Sequence, residues 1–238
     1  MRCLTRGNLL AFRMRDKFRL SLIAFLATVV LLPNWVQADE CRDAWVRPVV
    51  SFSSQNSQTT LNREKSSDQI TQLSRSVGAL RNHGGVTLLG LAYTKMRPNL
   101  RVKIDAREER KGVFCIVLTE VQMAFDTVDS EVFIDRRYRP GTCAYNAILE
   151  HEMEHMAINR RVLEKYKPFL KQRLERKSAN IRPFRTTSMQ AGAEIASNRM
   201  MDDMKSLIDE FFKVRQRENN RIDTERSYEA VKRKCNDW

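Results

Sequence analysis

The sequence predicts an α+β fold, in which a small antiparallel sheet packs against two long helices. Segment 86–137 contains apolar runs and apolar–polar alternation, which are typical of strands. Two later segments repeat apolar residues at helical spacing, from Ala144 to about Arg176 and from Thr187 or Ser188 to about Asn219. Strands that follow one another in sequence usually pair with each other, so we expect antiparallel pairing.

Residues 1–38 have the pattern of a secretory signal peptide. A basic segment with Arg13, Arg15, Lys17 and Arg19 precedes the apolar run Leu20–Leu32, and Val36-Gln37-Ala38 offers a cleavage site. A membrane span needs about 20 apolar residues, so this run is short for one, although an uncleaved N-terminal anchor is the alternative. No later segment is apolar enough to span a bilayer. We therefore predict a single exported domain, residues 39–238, in the periplasm or outside the cell.

The exported chain is basic and carries four cysteines. From Asp39 onward it has 36 Lys and Arg and 28 Asp and Glu, a net charge of +8. These charges are scattered, without the basic and aromatic interleaving of nucleic-acid grooves, so no nucleic-acid partner is predicted. An even cysteine count in an exported protein indicates two disulfides rather than a metal site, because C-x-x-C spacing is absent. We favour Cys115–Cys143 and Cys41–Cys235 among the three possible pairings.

The elements before the long helices can be placed in order. A helix should start at Ser67, capped by Ser66 or Ser67, and end at the Gly-rich turn that contains His83. His83 is more simply an exposed turn residue than a metal ligand. Arg110-Lys111-Gly112 is a candidate hairpin turn, and Pro168 is expected to bend or break the first long helix. The predicted strands are Val46–Phe52, Val86–Tyr93, Leu100–Ile104, Val113–Met123 and Val132–Ile134.

The chemistry is concentrated in His151-Glu152-Met153-Glu154-His155, an H-E-x-x-H motif in the first long helix. Residues four apart lie on one helix face, so both imidazoles can bind one Zn²⁺, and Glu152 can act as general base. Both histidines fall on the apolar stripe of the helix. Buried histidines can instead simply donate to backbone carbonyls, but two with this spacing and an intervening glutamate favour metal binding.

The third metal ligand is less evident, because the H-x-x-G-x-x-H extension of metzincins is absent: Ile158 and Arg161 occupy its glycine and second histidine positions. If the two long helices fold back around residue 182, position 154 faces Glu210 at the edge of the apolar stripe of the second helix. Glu210 is therefore preferred as the ligand, with Asp223 as the alternative. Glu210 can equally be a surface carboxylate that pairs with Lys213.

The segment Gly141-Thr142-Cys143-Ala144-Tyr145, with Ile148 and the H-E-x-x-H core, resembles a bacterial family of predicted secreted zinc-dependent proteases. Cys115, the strand Val132–Asp135 and Asn220-x-x-Asp223 extend the resemblance over about 100–228. It implies an exported zincin-like protein with zinc on His151 and His155 and Glu152 as base. Some family members carry a histidine shortly after that aspartate, where this chain has Ser227-Tyr228.

The sequence thus predicts a zinc metallopeptidase that hydrolyses protein or peptide substrates. We expect an extended substrate to pair with strand Val132–Asp135, and Tyr145, Tyr166 or Tyr228 to donate to the tetrahedral oxyanion. Two alternatives are a metallohydrolase that acts on peptidoglycan peptides and a non-catalytic envelope module with a structural metal.

Overall fold

The computed structural model describes residues 39–78, 87–236 and 238. These residues form an α+β fold with two long helices packed on a mixed sheet. Within them, no helix is both long and apolar enough to cross a membrane. The predicted signal peptide and His83 lie outside the described residues, so the export signal stays a prediction.

Ten helices and strands follow one another in the described part of the chain. In order they are α1 Glu40–Asp43, β1 Val49–Ser53, β2 Thr60–Asn62, α2 Ser67–Ser76, β3 Gly90–Arg110, β4 Val113–Ile134, α3 Cys143–Ala179, β5 Phe184–Thr186, α4 Met189–Asn220 and α5 Glu225–Lys232. The two long helices are confirmed, and α2 starts at Ser67 as predicted but ends at Ser76, before the predicted Gly-rich turn. Ser66, Thr142 and Ser188 are N-caps that accept backbone N–H bonds. Helix α3 continues unbroken through Pro168.

One long hairpin, β3–β4, replaces the four strands predicted for its region. The predicted turn is confirmed at Lys111-Gly112, where Gly112 has a φ of +74°. The pairing continues through register shifts at Lys95/Met96 and Lys103/Ile104. These irregularities interrupt the alternation of side chains without ending the strands, which is why the sequence pattern suggested separate strands.

The sheet is mixed rather than antiparallel. β1 and β2 run parallel to β4 along one edge, whereas β3 and β5 pair with it in antiparallel fashion. The predicted substrate pairing at Val132–Asp135 is therefore wrong, because Phe133 already lies between Leu91 of β3 and Asn62 of β2. The other edge of β3 pairs with no strand among the described residues.

The main core lies between the inner face of β4 and helices α3 and α4. Its fully buried members include Val121, Met123, Phe125, Leu163, Leu170, Leu174, Met200, Met204 and Phe211. The methionine-rich stretch of α4 is thus core packing at Met200 and Met204. Helix α4 approaches β4 so closely that a Cβ on Gly192 would lie 2.6 Å from Ile116 Cγ1. This packing fixes α4 relative to α3, on which the H-E-x-x-H motif lies.

Two disulfides join cysteines of the described residues, and the pairing favoured from the sequence is wrong. Cys41 bonds to Cys115, which fastens α1 to β4, and Cys143 bonds to Cys235, which fastens the start of α3 to the segment after α5. The cysteine count fixed the number of bonds, but pairing depends on which chain ends the fold brings together. Disulfides persist in oxidising, extracytoplasmic compartments, so the chain belongs to such an environment.

Candidate metal centre

Helix α3 presents the three motif residues on the side that faces β3 and the segment after α4. Glu152 and His155 are buried, at 5% and 8% exposure, and the His151 side chain is 11% exposed. The two imidazole centroids lie 5.0 Å apart, as expected for residues one helical turn apart. The predicted placement of both histidines on the inward face of the helix is confirmed.

Asp223, between α4 and α5, completes with His151 and His155 a group of three side chains that could hold a metal ion, here named the metal group. Its Oδ1 lies 3.3 Å from His151 Nε2 and 3.0 Å from His155 Nε2. Two ligand atoms about 2.0–2.1 Å from a tetrahedral zinc are about 3.3 Å apart, so these distances fit shared coordination. All three ligand atoms lie within 4.8 Å of one another. Two imidazoles and one carboxylate are a donor set that suits zinc and several other divalent metals.

The outer nitrogen of His155 is held by an amide from α4. His155 Nδ1 lies 2.8 Å from Asn219 Oδ1, and an amide oxygen can only accept, so Nδ1 carries the proton and donates. Asn219 is itself oriented, because its Nδ2 donates to Asn159 Oδ1 and to the Arg215 carbonyl. A ligand histidine usually has such an outer partner, which leaves Nε2 to bind the metal.

The charges within the group are strongly coupled. Burial alone would lower the pKa of His155, but hydrogen bonding to Asp223 and the charges of Asp223 and Glu152 raise it to about 9. Burial would raise the pKa of Asp223, but hydrogen bonds from both histidines hold it well below its usual range. At neutral pH the His155 imidazole is therefore protonated and pairs with the Asp223 carboxylate. His155 must release its Nε2 proton to bind a metal.

Glu152 lies beside the group, against the free edge of β3. Burial raises the pKa of its carboxyl to about 6, against the opposing effect of the charges on His155 and His151, and the Ala92 backbone N–H donates to it. Gly90 makes room for this carboxylate, because a Cβ there would lie 2.6 Å from Glu152 Oε1. A carboxyl group that titrates near neutral pH beside a metal site is suited to proton transfer.

No family model, curated protein or solved structure matches this chain. Functional assignment therefore depends on the arrangement of the side chains themselves.

The preferred third ligand, Glu210, lies away from the histidines. Its Oε1 accepts a hydrogen bond of 2.9 Å from the Tyr166 hydroxyl, farther along the α3–α4 interface. The structure brings Asp223, the alternative, to His151 and His155 instead.

Of the three tyrosines considered as oxyanion donors, Tyr228 is the one at the metal group. Its hydroxyl donates to Asp223 Oδ1 at 3.0 Å, and its ring centroid lies 5.4 Å from that of His151. Burial and the charge of Asp223 raise the pKa of Tyr228, so the phenol stays protonated. Tyr166 bonds to Glu210, and Tyr145 lies beneath the Arg63 guanidinium.

A cleft of about 320 Å³ leads to the metal group. Glu152, His155 and Asp223 line it together with the β3 edge from Gly90 to Thr94 and the C-terminal part of α4. A smaller pocket of about 130 Å³ adjoins His151 and Glu152 on the other side, with mainly apolar walls formed by Leu88, Leu89, Ile148, Val231 and Trp238. The β3 edge, Glu152 and His155 therefore line one cleft.

Proposed function

We propose that this protein is an exported zinc-dependent peptidase of the zincin type. The observation that carries the proposal is the placement of Glu152, a buried carboxyl with a pKa of about 6, directly beside the His151–His155–Asp223 group. Two histidines and one carboxylate also occur at non-haem iron sites, but the H-E-x-x-H spacing, with its glutamate beside the first histidine, is typical of zinc peptidases.

The chain's own residues then divide the hydrolysis between them. Zinc bound by the three side chains would supply Lewis-acid polarisation of the scissile carbonyl and lower the pKa of a water molecule. Glu152 accepts a proton as the water oxygen bonds to the carbonyl carbon. Glu152 then donates that proton to the amide nitrogen as the C–N bond breaks, which yields a carboxylic acid and an amine.

The substrate side of the proposal follows from the cleft. The edge of β3 beside Glu152 pairs with no strand among the described residues, and the Ala92 N–H and Thr94 carbonyl on it bond to Glu152 and Arg215. An extended peptide can pair with the backbone groups of this edge that remain. Tyr228 can donate a hydrogen bond to the oxyanion when its one O–H proton, which bonds to Asp223 in this structure, turns towards the substrate. The substrates are proteins or peptides in the periplasm or outside the cell.

The experiment compares the zinc-loaded mature protein with Glu152→Gln, on casein and on purified peptidoglycan. Glutamine keeps the shape of the side chain but cannot accept the proton, so we expect a loss of about 10²–10⁴-fold in kcat with zinc retained. Glu154→Gln is the matched control, because Glu154 is exposed and pairs with Arg161 at 2.7 Å on the same helix. Equal activity in Glu152→Gln and the parent protein would refute the assigned role. Cleavage of peptidoglycan alone would select the cell-wall peptide as substrate.

A further inference from the structure

Arg215 of α4 is held rigidly at the wall of the cleft. Its Nε donates to Asn159 Oδ1 at 2.9 Å, and its Nη2 donates to the Thr94 carbonyl at 3.1 Å. These bonds fix the guanidinium between α3 and the β3 edge. A guanidinium has five N–H donors, so donors remain beyond those two bonds, and the side chain lines the cleft.

The charge of this guanidinium is not neutralised within the described part of the protein. Arg215 forms no ion pair there, whereas its exposed neighbour Arg217 pairs with Glu218. The two carboxylates that line the same cleft bond elsewhere, Asp223 to the histidines and Glu152 to Ala92. Burial lowers the pKa of Arg215, which reflects the cost of keeping a cation in this place. An unpaired, partly buried arginine in a cleft is a natural partner for an anion.

The positions of residues along α3 and α4 locate Arg215 relative to the metal group. Asn159 lies one turn beyond His155 on α3, and Arg215 lies one turn before Asn219 on α4. Asn159 contacts both Arg215 and Asn219, and Asn219 contacts His155. The guanidinium is thus about one helical turn, roughly 6 Å, from His155 along the cleft. An extended peptide advances about 3.3 Å per residue, so this distance corresponds to one or two residues.

We propose that Arg215 binds a carboxylate of the substrate, located one or two residues from the scissile bond. This inference rests on the proposed peptidase function and narrows its substrates to peptides with an anionic group at that position. The group is either the free C-terminal carboxylate or the side chain of an aspartate or glutamate. Arg215 is in this account a specificity-determining residue.

The test measures peptide binding by calorimetry in the zinc-loaded Glu152→Gln protein, which cannot turn the peptides over. One pair of probes is acetyl-Ala-Ala-Ala as the free acid and as the amide. The second pair is acetyl-Ala-Asp-Ala-amide and acetyl-Ala-Asn-Ala-amide. We expect the carboxylate member of one pair to bind about tenfold more tightly or better, as a charge-assisted hydrogen bond predicts. The pair that shows the preference identifies the source of the carboxylate.

Adding Arg215→Met should bring that affinity ratio close to one, and adding Arg215→Lys should retain part of it. The matched control is Arg217→Met, which should leave the ratio unchanged. If Arg215 were only structural, Arg215→Met would weaken both members of a pair equally and keep the ratio, which would overturn the proposal. Equal binding of acid and neutral peptides by the Glu152→Gln protein with Arg215 intact would also overturn the proposal.

The same titrations with the metal-free protein separate this inference from the proposed function. A protein that binds no zinc but prefers the carboxylate probes through Arg215 would refute the proposed peptidase function and support an anion site at Arg215. A zinc-dependent peptidase without that preference would support the proposed function and refute the anion site.

Discussion

At the scale of single residues, the site combines groups that the sequence identifies with groups that only the fold supplies. His151, Glu152 and His155 are adjacent in sequence, and their spacing alone places them on one helix face. Asn219, Gly90 and Ala92 have ordinary sequence contexts, and they matter only because α4 and β3 approach the motif. No local pattern in the sequence distinguishes such residues.

Gly90→Ala tests how tightly Glu152 is held. The added Cβ would lie 2.6 Å from Glu152 Oε1 and 2.7 Å from Ile148 Cγ2, so the carboxylate must move. We expect a loss of about 1–3 kcal/mol in stability, as for other overpacked sites, and a fall in kcat with zinc content unchanged. Thermal unfolding, elemental analysis and peptide cleavage measure the three quantities.

The matched control for Gly90→Ala is Gly192→Ala, whose Cβ would meet Ile116 at a similar 2.6 Å but away from the metal group. It should lose stability while its activity per bound zinc stays at the parental level. An equal loss of activity per zinc in both variants would show that general destabilisation, and not the position of Glu152, is the cause.

At the scale of elements, the helices were predictable and the short strands were not. Helical periodicity and capping residues located α3, α4 and the start of α2 to within a few residues. β2 and β5 contain three residues each, and such short segments carry no periodic signal. Glu210, the preferred third ligand, lies away from the histidines for a related reason. The connection between α3 and α4 includes β5, so the helices fold back farther along the chain than residue 182. His155 therefore contacts Asn219, whereas a turn at residue 182 would have placed position 209 opposite His155.

The Cys143–Cys235 disulfide holds in place the segment 221–235, which contains Asp223 and Tyr228. It fastens the segment after α5 to the first residue of α3, and Lys234 also pairs with Glu150 at 2.6 Å. We expect Cys143→Ser/Cys235→Ser to weaken zinc binding by about tenfold or more, as happens when support of a metal ligand is lost. Competition with a zinc chelator measures the affinity.

Cys41→Ser/Cys115→Ser is the matched control, because this bond fastens α1 to β4 and contacts none of the proposed ligands. Loss of a native disulfide typically costs about 2–5 kcal/mol, so both double variants should unfold at lower temperature. Only the Cys143/Cys235 variant should lose zinc affinity. The same loss in both would mean that the disulfide near the site has no specific effect on Asp223.

At the scale of the whole molecule, Asp39, the first described residue, is bound near the turn of the β3–β4 hairpin. This turn is at the opposite end of β3 from the metal group. Arg185 of β5 binds Asp39 through two hydrogen bonds, of 2.6 and 3.1 Å, and Glu109 through its Nε at 2.6 Å. Hydrogen bonding to Arg185 lowers the pKa of Asp39 from 3.8 to about 2. A depressed carboxyl pKa means that this contact stabilises the fold above about pH 4 and is lost as pH falls towards 2.

Arg185→Ala should therefore raise the pKa of Asp39 towards 3.8 and remove its contribution to stability above pH 4. An NMR titration of the Asp39 side-chain carbon measures the pKa directly. Lys205→Ala, which breaks the separate Lys205–Asp209 pair, should leave the titration of Asp39 unchanged. A midpoint that stays near 2 in Arg185→Ala would contradict the assigned cause.

The proposed function depends most directly on whether His151, His155 and Asp223 hold a metal. Elemental analysis of the purified mature protein, beside Asp223→Ala and Glu210→Ala, is the decisive measurement. We expect about one zinc per chain in the parent and in Glu210→Ala, and far less in Asp223→Ala, because loss of a ligand should cost more than the about 10–100-fold in affinity that a supporting residue costs. A parent without zinc, or zinc lost in Glu210→Ala but kept in Asp223→Ala, would contradict the account.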